Sequence, residues 1–290
     1  MDGIIIINKP IGFTSQDVVS KTKKILNEKK AGHTGTLDPM ATGVLPVLLG
    51  NATKVSKYLI EHDKKYIATI KFGEKRDTGD SEGKIIETSD IKVLDEELVK
   101  NILKSFLGKS QQIPPIYSAI KINGKKLYEY AREGIEVEIP SREIEIHEIK
   151  LINFDVENQN LKFCVKCSKG TYIRTLCEDI SKKLGTIGYM SSLQRVQVDK
   201  FLINNAINFE TLENNKNNIE FLKEKIISIE EIFENLDKIT LTRRKEKLFL
   251  NGVILTFELK DGIYNIYTQD NKYLGLGIVK NALLKRDVII

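Results

Sequence analysis

Short strand-like runs dominate the apolar pattern of this 290-residue chain. Gly3 to Asn8 and Val44 to Leu49 are nearly continuous apolar runs, while KYIATIKF at 65–72 changes side at every residue, the period of a half-buried strand. Residues 84–88, 142–153 and 161–167 extend the series. Between them lie a few helices. Thr14 and Asp17 have capping-box spacing, with Val18, Thr22, Ile25 and Leu26 as an inward face. Residues 95–107 place Leu98, Ile102, Leu103 and Phe106 on one side, and a helix from about Tyr172 to Leu184 stops at Gly185. Strands mixed irregularly with helices predict an α+β body rather than regular βαβ alternation.

Hydrophobic residues make up 41% of the chain and charged residues 29%, which is ample for a core. No apolar run approaches the roughly 20 residues needed to span a bilayer. Ile4 to Ile7 is too short for a signal peptide and has no basic segment before it, so the expected location is the cytoplasm, away from membranes. Three cysteines give no disulfide framework. Cys164-x-x-Cys167 lacks the second ligand pair a zinc site needs, so no metal is expected. The net charge of +5 is mild, but its distribution is uneven. Basic blocks at 1–204 and 236–290 flank an acidic 205–235, as in two lobes sharing an anionic ligand; random surface variation accounts for the charges nearly as well. The Asn- and Glu-rich stretch 204–218 reads as a boundary. The last 55 residues read as short strands with turns at Asn251-Gly252 and Asp261-Gly262.

Asp38 is the carboxylate best placed for chemistry. It lies in GHTGTLDPMATGVLP among small and apolar residues, with Pro39 keeping it out of the α region. Glycines at 32, 35 and 43 would let the backbone approach a bulky ligand. On local chemistry alone, an Asp-Pro turn with a structural carboxylate is the reading the pattern favours. Arg174 falls in the first turn of its helix, where the macrodipole disfavours a cation, so it needs an anionic partner. Asp38 is one candidate and Glu178, one turn on, is another. Tyr66 and Tyr172 fit a base pocket or ordinary packing. His33 shares the loop of Asp38 and could touch RNA, move a proton or satisfy the backbone. The excursion at 112–140 interleaves Lys121, Lys125, Lys126 and Arg132 with Tyr117, Tyr128 and Tyr130, a mixture that suits phosphates and unstacked bases as well as a solvated helix. A glycoside-hydrolase site would need a second acid near Asp38, and none recurs at a plausible spacing.

Taken together, GIIIINKPIGFTS, GHTGTLDPMATGVLPV, DKKYIATI, IPPIYSAIKINGKKLYEYAREG and CSKGTYIRTLCEDI resemble the TruB family of tRNA pseudouridine synthases, in the family's order over roughly the first 200 residues. The resemblance implies a mixed, mainly antiparallel sheet in a catalytic domain over 1–235, with an RNA-gripping insertion at about 112–140. A small β-rich PUA-like RNA-binding domain would follow over 236–290. It implies Asp38 as catalytic aspartate and Arg174 as its partner. Tyr66 would stack on the target base, Tyr172 and Leu193 would line the pocket, and His33 would contact RNA. Lys9, Lys121, Lys125, Lys126 and Arg132 are further expected RNA contacts. The implied reaction isomerises uridine 55 in the T loop of tRNA, without cofactor, in a monomer with no obligate protein partner. A tRNA-folding module and a guide-RNA-dependent relative are the alternatives. SSLQRV has Gln194 where the family commonly has the first of two arginines after the leucine, which removes an expected RNA contact there.

Overall fold

A ten-stranded sheet organises the larger part of the chain in this computed structural model, which describes residues 1–90 and 95–290. Its order is Ile226–Ile227, Gly3–Lys9, Thr42–Leu49, Gly188–Val198, Lys64–Phe72, Asn160–Cys167, Arg142–Asp155 and Gly108–Gln112. Ala31–His33 and Phe201–Leu202 are attached beside this path. Pairing is antiparallel throughout, except where Gln194 and Arg195 run parallel to Thr42 and Gly43. The α+β class and the mainly antiparallel sheet are as the sequence leads one to expect.

The alternation in Lys64–Phe72 explains its place near the middle of the sheet. Tyr66, Ala68, Ile70 and Phe72 point into the core, and the residues between them are half-buried. On the inner face they meet Leu161, Phe163 and Val165 from the next strand and Leu176, Cys177 and Ile180 from the helix Ile173–Lys183. Phe163, fully buried, contributes roughly 1.5–3 kcal/mol by leaving water. Cys164 and Cys167 are three apart on one strand and so face opposite sides of it. Cys167 is buried, and that burial pushes its thiol up to about 12.

The first helix, Ser15–Ile25, carries the complete capping box, with Val18, Thr22 and Leu26 buried and Ile25 half-buried. Three other details differ from expectation. Asp95 caps the helix Glu96–Lys104 through the Leu98 N–H, so Val99 and Leu103 face the core and Leu98 is exposed. The stretch 204–218 is no linker, because the short helix Phe209–Asn214 buries Phe209 and Leu212 against Ile5, Ile7 and Val18. The C-terminal segment contains a helix, Arg243–Leu250, whose Phe249 is buried; Gly252, at φ +83°, follows its end instead of turning a hairpin.

On either side of it in the chain, Lys238–Leu241, Gly262–Thr268, Tyr273–Lys280, Leu283–Ile289 and Leu255–Thr256 form a five-stranded sheet in that order, the small β-rich module expected at this end. Leu276 and Val288 share an apolar cluster with Ile4 and Leu48 of the large sheet. Asp287 accepts from Lys57 and Tyr58, and the Asn265 amide donates to the Phe233 and Leu236 carbonyls. Among the described residues no helix is long and apolar enough to cross a membrane.

Gly43 sits at the parallel join with φ +108°, and a Cβ there would lie 2.2 Å from the Arg195 carbonyl oxygen. Neither the dihedral nor the space admits a side chain. Gly43→Ala is expected to cost roughly 2–4 kcal/mol of stability, read as a lower urea midpoint at unchanged slope.

Candidate active site

Asp38 occupies a loop between the strands Ala31–His33 and Thr42–Leu49, and buried polar groups hold that loop at several points. The Ser15 hydroxyl both accepts from the Leu37 N–H at 2.8 Å and donates to the Leu37 carbonyl at 3.2 Å. Lys9 donates to the carbonyls of Pro39 and Pro10, at 3.1 and 3.0 Å. Arg195 donates from Nη2 to the Gly35 carbonyl and from Nε to the Val44 carbonyl, at 3.1 and 2.8 Å. The backbone around Asp38 is therefore tied to the first strand, the first helix and the strand Gly188–Val198.

Arg174 meets Asp38 from the other side. The guanidinium grips the carboxylate at two points, Nε to Oδ2 at 3.1 Å and Nη2 to Oδ1 at 3.3 Å. The same fork donates to the carbonyls of Thr78 and Tyr117, at 3.0 and 2.9 Å. Its side chain is 7% exposed, so this many acceptors are what make the buried cation tolerable. Of the two partners open at the sequence level, Asp38 is the one engaged.

A second carboxylate completes the network. Asp80, 3% exposed, lies 3.7 Å from Arg174 Nε and is held by the Thr78 hydroxyl and the Glu82 N–H. The expectation of no further acid near Asp38 is thus corrected: 41 intervening residues fold back to bring one close. Asp80 does not line the cleft, and its Oδ1 accepts both of these hydrogen bonds. Among the described residues, no group of acids, histidines or cysteines is arranged to hold a metal ion.

The Asp38 side chain remains 32% exposed at the floor of a cleft of about 1030 Å³. Tyr66, Tyr172, Leu193, Ile173, Met190 and Arg195 wall it, and Tyr117, Ser118 and Tyr128 of the excursion close one side. Burial raises the Asp38 carboxyl above its ordinary value; Arg174 pulls it down, and Asp80 pushes it up again. Burial likewise lifts the Tyr66 phenol to about 12. Of the expected pocket residues, Tyr66 and Leu193 are buried and Tyr172 is half-buried, all on the cleft. His33 stands on the adjoining strand, and its Nδ1 accepts from the Gly35 N–H at 3.3 Å. Burial, with Arg195 nearby, lowers its basicity.

Lys9 corrects another expectation. It is fully buried, and burial pushes its ammonium down to about 8. A side chain spent on two internal carbonyls is an anchor for the Asp38 loop, not a contact for RNA. Lys121 and Arg132 are exposed and Lys125 and Lys126 half-buried, on a hairpin and the short helix Leu127–Glu133. Lys125 lies over Tyr130, and Lys126 and Arg132 lie over Tyr128, so cations and rings interleave in space as they do in sequence.

Comparison with known proteins now fits this geometry. Residues 23–173 match the model of the TruB family pseudouridylate synthase N-terminal domain, and 174–234 match that of the tRNA pseudouridylate synthase B C-terminal domain. The chain is 47% identical over 283 residues to tRNA pseudouridine synthase B of Clostridium acetobutylicum, covering 96% of this chain and 95% of that one. The Francisella philomiragia protein of the same name is 44% identical over 298 residues, covering 100% and 97%. Among solved structures, a Cbf5–Nop10–Gar1 complex contains a chain that superposes with a TM-score of 0.70 at 26% identity, over 99% of this chain and 83% of that one. Fold and cleft thus define an RNA-modifying isomerase of the pseudouridine synthase class. The chain belongs to the TruB family of tRNA pseudouridine synthases.

The raised Asp38 pKa has a consequence for stability. A carboxyl whose folded value exceeds its unfolded value stabilises the fold fully below the unfolded value, and loses that contribution as pH rises through the folded one. At neutral pH its charge therefore opposes folding. Asp38→Asn is expected to raise the thermal midpoint at neutral pH, with the gain shrinking as pH falls; a lowered neutral midpoint would show a carboxylate that supports the fold.

Proposed function

We propose that this enzyme converts uridine 55 in the T loop of tRNA to pseudouridine, using Asp38 and no cofactor. The observation that carries the reading is the two-point Asp38–Arg174 pair on the floor of a cleft walled by Tyr66. The reaction breaks the bond from ribose C1′ to N1, turns the base and joins C1′ to C5. Oxidation state is unchanged and no phosphate moves, so protein side chains are sufficient. A uridine inside folded RNA must first leave its stack, at a cost of a few kcal/mol that pocket contacts offset.

In this reading Arg174 keeps Asp38 ionised and aimed, because a fixed guanidinium favours the charged carboxylate. Attack on C1′, attack on C6 and removal of a sugar proton all require that anion. Tyr66 offers its ring to the base, and Tyr172 and Leu193 close the pocket. His33, uncharged and half-buried beside the loop, contacts the RNA through its remaining ring nitrogen. Residues 1–235 act as the catalytic domain, and the excursion with Lys121, Lys125, Lys126 and Arg132 grips the T arm. Residues 236–290 serve as a PUA-like RNA-binding module. The enzyme works as a monomer in the cytoplasm.

The likeness to the Cbf5 chain, solved in complex with Nop10 and Gar1, supports a second reading in which partner proteins are required. The higher identity to bacterial tRNA pseudouridine synthase B proteins favours action on bare tRNA. Purified chain given unmodified tRNA should form pseudouridine at position 55 alone; inactivity until partner proteins are added would select the second reading.

Asp38→Asn should abolish tritium release from 5-tritiated uridine in tRNA while RNA binding persists, and retained turnover would remove Asp38 from its role. Arg174→Lys should lose about a hundredfold or more in turnover, since an ammonium cannot reproduce the planar fork. The acid limb of the parent's pH–rate profile should lie above the ordinary aspartate value, the direction in which burial pushes Asp38.

A further inference from the structure

The two ends of the RNA-gripping excursion converge on one residue of the candidate site. Gln112 ends the edge strand Gly108–Gln112, Arg142 begins the strand Arg142–Asp155, and the two face each other in register. Both reach Tyr172. Gln112 is 3% exposed, so its amide needs internal partners, and it uses both ends on a single residue. Its Oε1 accepts from the Tyr172 N–H at 2.8 Å and its Nε2 donates to the Tyr172 carbonyl at 3.1 Å. Arg142 lies over the Tyr172 ring, 5.8 Å from its centre.

Tyr172 caps the helix Ile173–Lys183 without a side-chain hydrogen bond of its own. A phenol cannot bond back to the first helical N–H groups as Ser or Asp would. A glutamine 60 residues away takes over part of that task. One hydrogen bond would fix a distance; two to the same residue also fix its rotation. The first turn of that helix carries Arg174, whose Nη2 donates to the Tyr117 carbonyl inside the excursion. The root of the excursion and the guanidinium that grips Asp38 are thereby braced at both the main chain and the side chain.

We propose that Gln112 is a positioning residue: its amide, clamped on the Tyr172 backbone, sets the entry of the helix and with it the alignment of Arg174 against Asp38. The assignment rests on the reading of Asp38 and Arg174 given above. It makes the stem of the excursion part of the apparatus that orients the site, in addition to whatever the excursion grips.

Two variants test it. Gln112→Met keeps the length of the side chain and removes both hydrogen bonds. With the protein folded by circular dichroism, its single-turnover rate at saturating enzyme should fall about tenfold to a hundredfold, the scale of a small misplacement of a reacting group, while tRNA affinity is retained. Gln112→Glu can accept from the Tyr172 N–H as a carboxylate but cannot donate to the carbonyl until protonated. Burial raises such a carboxyl, and the protonated acid both donates and accepts. Its rate relative to the parent should therefore climb as pH falls from mildly alkaline to mildly acidic. A parental rate in folded Gln112→Met, a loss confined to tRNA affinity, or a flat relative pH profile in Gln112→Glu each overturns the clamp. Should Gln112→Met not fold, the Gln112→Glu profile alone decides. Asp38→Asn run in parallel separates the failures. Turnover there overturns the catalytic reading beneath the clamp, whereas a dead Asp38→Asn beside a fully active Gln112→Met overturns the clamp only.

Discussion

A buried guanidinium holding a carboxylate at two points is the interaction around which the cleft is arranged. Arg174 is nearly inaccessible, and a cation in that position demands acceptors from every direction. It finds Asp38 in front, Asp80 behind, and the carbonyls of Thr78 and Tyr117 at the sides. These acceptors come from three separate segments of the chain. Satisfying one charge thus forces the Asp38 loop, the loop at 77–83, the root of the excursion and the helix Ile173–Lys183 into a single arrangement.

The other buried cations serve the same economy. Lys9 and Arg195 are fully or almost fully buried, and neither lies within ion-pair distance of a described carboxylate. Both donate to main-chain carbonyls on either side of Asp38. Their charge then acts at a distance. Arg195 lowers the basicity of His33 and of Lys64, in both cases after burial itself. In a protein whose substrate is a polyanion, several of the cations nearest the site thus face inward, where they stiffen the loop that carries the acid.

Attachment of the C-terminal sheet follows a different rule. Leu276 and Val288 complete a cluster begun by Ile4 and Leu48, while Asp287 gathers Lys57 and Tyr58 from the larger part. Burial and hydrogen bonding with Asp287 both raise the Tyr58 phenol well above its ordinary value, so this joint stays neutral at the phenol across the physiological range. The module sits on the body through shared apolar surface fastened by polar contacts, an arrangement that holds its orientation.

Local periodicity determined a good deal without any structure. The strands, the capping box at Thr14 and Asp17, the helix ending before Gly185 and the basic, tyrosine-bearing excursion all follow from patterns a few residues long. The Asp38–Arg174 pairing was half legible, since a cation in a first helical turn signals a missing anion but does not say which. What sequence could not supply is everything set by closure over long separations. That Asp80 joins the network, that Lys9 turns inward and that Gln112 grips Tyr172 depend on which segments meet across the sheet. Even the face of the helix Glu96–Lys104 was decided by where its cap fell. Propensity and pattern act over one or two turns of chain, whereas a buried polar atom takes whichever partner the folded packing brings within reach.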